Sequence, residues 1–283
     1  MAKRSVVCFA GVAVILWTGM TAMAAEAGAR PAPLRALLIA GGCCHDYATQ
    51  KELIKSGIES RAHVEVEIIY SADTSTAPPL PIYGNPDYAA GFDVVIHDEC
   101  ASDIKDIAVV EGVLAPHKAG IPGVNLHCAM HCYRTAPDVK VAVTPGTPES
   151  LWFDYLGVQS AGHGPQKPIA ITYTAKDHAT ARDLPDWTTI NEELYNNIVV
   201  REGTQILARG VQEPNDRPNF TDAAVIWTSA YGDKKTRVFS TSLGHNNDTV
   251  ADARYLDLVT RGVLWACGKL QESGQPAEGY GKD

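Results

Sequence analysis

Four short apolar runs punctuate the chain, and each gives way abruptly to a polar turn that carries a histidine. Leu37-Leu38-Ile39-Ala40 leads into Gly41-Gly42-Cys43-Cys44-His45-Asp46, and Asp93-Val94-Val95-Ile96 into His97-Asp98-Glu99-Cys100. Residues 121–126 lead into His127-Cys128-Ala129-Met130-His131, and residues 237–243 into Gly244-His245-Asn246-Asn247. Apolar runs this short suit strands buried on both faces. Between them, Leu53, Ile54 and Ile58 recur at helical spacing, with Thr49 or a neighbour as N-cap, and residues 102–118 read as a second helix. A closing helix is predicted over 248–266 from the recurrence of Tyr255, Leu256, Leu258, Val259, Val263 and Leu264, with Gly268 at the C-terminal cap. Further strands are expected over 64–70, 169–174, 205–208 and 223–229. The turn Tyr231-Gly232-Asp233 makes Val225 and Val238 hairpin-paired neighbours.

Strands alternating with helices predict an α/β fold with a mostly parallel central sheet and helices on both faces. Ligands of such sheets bind beyond the carboxyl ends of the strands, where the four histidine-bearing turns would meet on one edge. Residues 71–91, dense in Pro, Ser, Thr and Gly, read as a loop at that edge. Residues 152–157 suggest one aromatic helical turn, followed by a loop that carries His163 between two glycines and leaves it mobile.

Lys3 and Arg4 precede an apolar run from Ser5 to Met20 and then Ala22-Met23-Ala24, the pattern of a signal peptide over residues 1–25. A periplasmic or secreted protein with no membrane attachment after cleavage is expected; an uncleaved anchor is the alternative, disfavoured because the run is short for a span. Roughly 255 residues then remain, enough for one α/β domain. That domain is placed at 34–270, and the polar, Gly-rich stretch 271–283 is expected to be a flexible tail. The formal charge of -9, with no basic stripe, argues against nucleic acid and for a small-molecule partner. No G-x-G-x-x-G follows the first strand, so no nucleotide cofactor is expected; oligomerisation stays open.

Six cysteines lie beyond the leader, five of them beside histidine-bearing turns. Small buried thiols are the first reading, and one bridge among Cys44, Cys100, Cys128 and Cys132 is the second.

Gly41-Gly42 with His45, Leu126-His127-Cys128-Ala129, His163-Gly164, Glu192-Glu193-Leu194-Tyr195 and Leu243-Gly244-His245 together resemble the ThuA-like (trehalose utilisation) family, in the family's order and over nearly the whole chain after the leader. The resemblance implies a flavodoxin-like, class I glutamine-amidotransferase-like fold and a link to disaccharide catabolism, with metal binding in some members. It implies that His127 occupies the elbow where amidotransferases carry a cysteine nucleophile. Cys128 stands one place late and lacks flanking glycines, so glutaminase chemistry is not carried over.

Histidines at several strand ends with carboxylates are a ligand set for a divalent metal, zinc first and manganese or iron as alternatives. His45, His127 and His245 are the candidate ligands. Glu193, and after it Glu192, is the candidate general base or fourth ligand, with His163 and His131 as acid/base groups. Tyr133, Arg134, Trp152, Tyr195 and Asn246 are candidates for sugar recognition, although core packing is the first reading for Trp152. His97 belongs to the site edge or to a solvated acidic turn, and His63, His117 and His178 are read as surface residues. The functions that fit are a metal-dependent enzyme acting on a keto-sugar or glycoside by isomerase, lyase or hydrolase chemistry, a non-catalytic carbohydrate-binding protein, or a hydrolase using Cys128 or Cys44 with a histidine base.

Overall fold

The strongly apolar run at 34–42 becomes strand β1 (Leu34–Gly42), buried at all but one position because it has a strand on either side and helices above and below. The structure is a computed structural model that describes residues 1–3, 5, 30–212 and 222–282; the predicted leader lies almost wholly outside these residues. Among the described residues, no helix is long and apolar enough to cross a membrane.

In chain order, β1 is followed by helix α1 (Tyr47–Glu59), β2 (Val64–Ser71), β3 (Val94–Cys100), α2 (Ile107–Ala119) and β4 (Gly123–Leu126). Then come α3 (Leu151–Leu156), β5 (Val158–Gln159), β6 (His163–Tyr173), β7 (Trp187–Tyr195), β8 (Val199–Val200), β9 (Gln205–Val211), β10 (Asp222–Tyr231) and β11 (Thr236–Thr241). Helices α4 (Asn247–Val250) and α5 (Ala253–Ala266) close the fold. Nine strands form one sheet in the order β2-β1-β3-β4-β11-β10-β9-β6-β7. The half from β2 to β11 is parallel throughout, and β10, β9, β6 and β7 extend it as an antiparallel wing. The β10–β11 hairpin predicted from Tyr231-Gly232-Asp233 is present, with Ser229 opposite Val238.

The two faces are filled by different side chains, as the period of two along a strand requires. Leu38, Ile96, Val124 and Leu126 pack with Ile54 and Ile58 of α1 and with Leu258 and Val259 of α5. Leu37, Ile39 and Val95 pack on the other face with Val110, Val113 and Leu114 of α2 and Trp152 and Tyr155 of α3. The predicted first helix is capped by Asp46, whose carboxylate accepts from the Thr49 amide. The second begins later than 102 because Asp106 caps it. The closing helix is interrupted: α4 ends before Asp252, whose side chain accepts from the Arg254 amide and starts α5 afresh.

Two expectations about the periphery are corrected. The segment after Leu270 is not a free tail: its Tyr280 carbonyl accepts from the His63 amide, Gly281 bridges Ala62, and Leu270 bridges Pro276. His117 is not on the surface. It is wholly buried, with Nδ1 2.8 Å from the Ile121 carbonyl and Nε2 3.1 Å from Nε2 of His97, which in turn meets Glu99 at 2.9 Å. His97 and Glu99 are fully buried too, so they form an internal network and not a solvated turn. His63 and His178 are half-buried.

Burial pulls His117 down to about 3, with the neighbouring His97 adding to the effect. The folded chain therefore binds fewer protons here than the unfolded chain below the ordinary value of 6.5, and the resulting stability is lost as the pH falls from 6.5 towards 3. Urea unfolding between pH 6 and 4 should show a shallower pH dependence in His117→Gln than in the wild type, by up to about 1.4 kcal/mol per pH unit, the equivalent of one proton. Parallel slopes would contradict the assignment.

Candidate metal centre

The parallel half of the sheet delivers the site. Gly41 and Gly42, at φ of 134° and 104°, turn the chain out of β1 and carry Cys43, Cys44 and His45 over the sheet edge. A side chain at Gly42 is excluded by the Cys100 carbonyl oxygen, which lies 2.2 Å from where a Cβ would stand. At the end of β4 the chain turns at His127, with φ of 37°, into a short 3-10 helix over His127–His131. A left-handed residue other than glycine is strained, and His tolerates that region better than most. His245 follows β11, and Glu193 comes from the end of β7 on the antiparallel wing.

These four residues, remote in sequence, meet. Donor atoms of His45, His127, Glu193 and His245 all lie within 4.8 Å of one another. Nε2 of His45 is 3.0 Å from Nδ1 of His245, and Oε2 of Glu193 lies 3.4 Å from that Nδ1 and 3.6 Å from Nε2 of His127. Tetrahedral zinc with bonds of roughly 2.0–2.1 Å sets its donors roughly 3.3 Å apart, so modest rotamer adjustments would seat an ion. The far ring nitrogens are held as ligating histidines require. Nδ1 of His127 donates to the Ser242 carbonyl at 2.7 Å, which leaves Nε2 with its lone pair toward the cluster. Nδ1 of His45 meets the Tyr47 hydroxyl at 3.1 Å, and Nε2 of His245 meets the Gln166 amide at 2.8 Å. The Gln166 amide, turned over, presents its oxygen to an Nε2–H when Nδ1 of His245 serves as the donor.

The electrostatics agree with this donor set. Burial, with His127 and His245 beside it, lowers His45 to about 2, so its ring stays neutral. Burial pushes Glu193 up, but its contacts with His127 and His245, at 3.6 and 3.4 Å, outweigh that and hold it well below the usual carboxylate range. The same contact with Glu193 raises His245. The cluster therefore presents a carboxylate among imidazoles. Gln166→Ala should weaken zinc binding by about tenfold, the scale of an outer-sphere partner, read by competition with a chelating dye; an unchanged affinity would remove Gln166 from the site.

Of the other predicted residues, Asn246 lines the open pocket above the cluster, a space of about 570 Å³ edged also by Asp46, Asn247 and Asp248. His163 is not on a free loop: it opens β6, its Nδ1 donates to the Gly164 carbonyl at 2.8 Å and lies 3.5 Å from Glu193. Tyr195 is buried and its hydroxyl reaches Nε2 of His127 at 3.2 Å, so it supports the histidine and does not face a sugar. His131 stacks on Tyr195 with centroids 4.1 Å apart and bonds the Ser160 hydroxyl at 2.9 Å, one layer behind the donors. Burial, then the charge of Arg134, keeps it neutral.

Three sugar-binding expectations are not met by the geometry. Trp152 is a core residue whose indole N–H donates to the Ala129 carbonyl at 2.8 Å. Tyr133 is fully buried and bonds Glu99 at 2.6 Å. The Arg134 charge acts on Cys128, Cys132 and Cys100 and is absent from the pocket lining. Glu192 is separated from Glu193 by strand alternation: it is buried and accepts the amides of His245 and Asn246 at 3.0 and 3.1 Å, fixing the turn that presents His245. Tyr47, Gln166 and Gln50, which donates to the Gly244 and His245 carbonyls, were not legible as site residues, because nothing in their spacing sets them apart.

Three cysteines, Cys100, Cys128 and Cys132, are the small buried thiols expected, but the bridge falls outside the set named for it. The one disulfide among the described residues joins chain neighbours Cys43 and Cys44, while Cys100, Cys128, Cys132 and Cys267 are free thiols. The pairing was not legible because chain neighbours, 3.8 Å apart at Cα, lie closer than disulfides usually span. A cysteine nucleophile is not supported: Cys128 is buried, with its thiol raised by the neighbouring Cys100 and by burial, and Cys44 is oxidised.

The profile of the family described as ThuA, trehalose utilisation, matches residues 35–266. The chain belongs to the ThuA family. Among solved structures, this family member aligns with a ThuA-like protein from Bacteroides uniformis at a TM-score of 0.57 and 14% identity, covering 87% of this chain and 97% of that one. A protein described as a GMP synthase component from Thermoplasma acidophilum aligns at a TM-score of 0.49 and 9% identity, over 83% and 94% of the two chains. No curated protein matches this ThuA-family chain.

Proposed function

We propose that this protein is an exported, metal-dependent enzyme that acts on a keto-sugar or glycoside at the His45–His127–Glu193–His245 centre. The observation that carries the reading is the convergence of four donor atoms within 4.8 Å, from strand ends separated by as much as 200 residues, beneath an open polar pocket. Three imidazoles and one carboxylate favour zinc, with manganese or iron the alternatives.

Bound there, the metal would supply Lewis-acid polarisation of a sugar oxygen and a lowered pKa for a coordinated water. The protein's own groups do the rest. Glu193, held as a carboxylate, contributes the negative charge that balances the ion. His163, whose Nδ1 donates to the Gly164 carbonyl and lies 3.5 Å from Glu193, is the acid/base side chain of this reading. Asn246, Asn247 and Asp46 supply amide and carboxylate partners for hydroxyl groups at the pocket wall.

Metal content of the purified protein is the first measurement. The second is incubation of metal-loaded protein with 3-keto and ordinary disaccharides, followed by mass spectrometry and NMR. Turnover that disappears in His163→Ala while the metal stays bound is the expected result. Sugar binding by metal-free protein without turnover would instead identify a carbohydrate-binding module.

A further inference from the structure

Beside the histidine cluster lies a group of sulfurs that the metal chemistry leaves unused. Sγ of Cys100, at the carboxyl end of β3, stands 3.4 Å from Sγ of Cys43, and the sulfurs of Cys43, Cys44 and Cys100 are all within 4.8 Å of one another. Cys43 and Cys44 are already oxidised to each other, and Cys100 is a buried free thiol that packs with Cys128, Ala40 and Tyr47. A thiol this close to a disulfide sulfur can engage it in thiol–disulfide exchange; with all three sulfurs within 4.8 Å, Cys100 must first rotate into line with the Cys43–Cys44 bond.

We propose that Cys43, Cys44 and Cys100 form a thiol–disulfide exchange centre in which Cys100 attacks Sγ of Cys43 and releases Cys44 as a free thiol at the rim of the metal pocket. The Cys43–Cys44 bond breaks and a Cys43–Cys100 bond forms. The electron pair leaves on Sγ of Cys44, which takes up a proton from solvent in exchange for the one lost by Cys100. One disulfide and one thiol are present before and after, so no external oxidant or reductant is needed.

Three features of the site favour the step. Cys44 is exposed and lines the pocket, whereas Cys100 is buried, so exchange moves the reactive thiol from the interior to solvent. Cys44 holds a left-handed backbone at φ 82°, strain for a non-glycine residue that opening the two-residue ring would allow to relax. Cys128, packed against Cys100, and then the Arg134 charge lower the Cys100 thiol against the opposing effect of burial. This gives Arg134 and Cys128 a part that neither sugar recognition nor metal binding supplies. Because Cys44 precedes His45 directly, the exchanged form also places a soft sulfur donor next to a candidate ligand.

The test is irreversible trapping in the full chain without reductant. Native protein is held with excess iodoacetamide at neutral pH, then digested under non-reducing conditions and mapped by mass spectrometry. The expected product carries the alkyl group on Cys44 together with a disulfide joining the peptides of Cys43 and Cys100. Cys100→Ser, checked for folding by its circular dichroism, should lose the Cys44 label entirely. If wild-type protein keeps the Cys43–Cys44 bridge and is labelled only at Cys267, or at Cys100 directly, the proposal is overturned. That wild-type result decides the matter even if the variant fails to fold.

Discussion

Changing His127 to alanine is expected to lower the affinity for zinc by at least about a hundredfold. A four-ligand site binds zinc with roughly 10–16 kcal/mol, so one lost ligand is worth about 3 kcal/mol, or two powers of ten. His127 is the strongest choice because its tautomer is fixed by the Ser242 carbonyl, which leaves the Nε2 lone pair, shared with the Tyr195 hydroxyl at 3.2 Å, on the side of the other donors. The residue also occupies a left-handed conformation, and alanine there costs about 1 kcal/mol of stability for reasons unrelated to metal. His127→Asn, which tolerates that backbone, separates the two effects. A competition titration with a chromophoric chelator reads the affinity, and thermal unfolding reads the fold. An affinity within threefold of wild type in both variants would mean that the cluster does not bind zinc through His127.

Gly42→Ala should destabilise the chain by about 3 kcal/mol or more, through both positive φ and overlap with backbone. The methyl would stand 2.2 Å from the Cys100 carbonyl oxygen, and backbone at the paired end of β3 cannot move aside as a flexible side chain can. For a domain of this size, that loss corresponds to a fall in Tm of roughly 6–12 °C. Any relief would come from shifting β1 against β3, which moves Cys43 and His45 together. Metal affinity should therefore fall along with stability. A variant with wild-type Tm and affinity would show that the turn after β1 is looser than the geometry requires.

The parallel half of the fold could be read from the chain because its information is local. Runs such as Leu37–Ala40 and Val94–Ile96 have no polar alternation, as burial on two faces demands, and the turn at Tyr231-Gly232-Asp233 announced the antiparallel hairpin that joins this half to the wing. The antiparallel wing was harder. Its strand β6 contains two prolines and two register shifts against β7, features that read as loop in isolation. His163 was consequently placed on a loop although it starts a strand. For Trp152 and Tyr133, an aromatic side chain near the site has the same sequence signature whether it faces a ligand or the core, and only the packing with α2 and α3 decides it.

By itself, the sequence determined that histidines stand at the ends of buried strands and that those strands belong to an α/β sheet, because strand burial and turn chemistry are written in neighbouring residues. Only the tertiary structure decided that His45, His127 and His245 converge, that Glu193 and not Glu192 joins them, and that Cys43 is bonded to Cys44 with Cys100 poised beside it. Those outcomes depend on strand order, register and the face of the sheet to which each side chain points. Each is set by contacts between segments far apart in the chain, which no local pattern encodes.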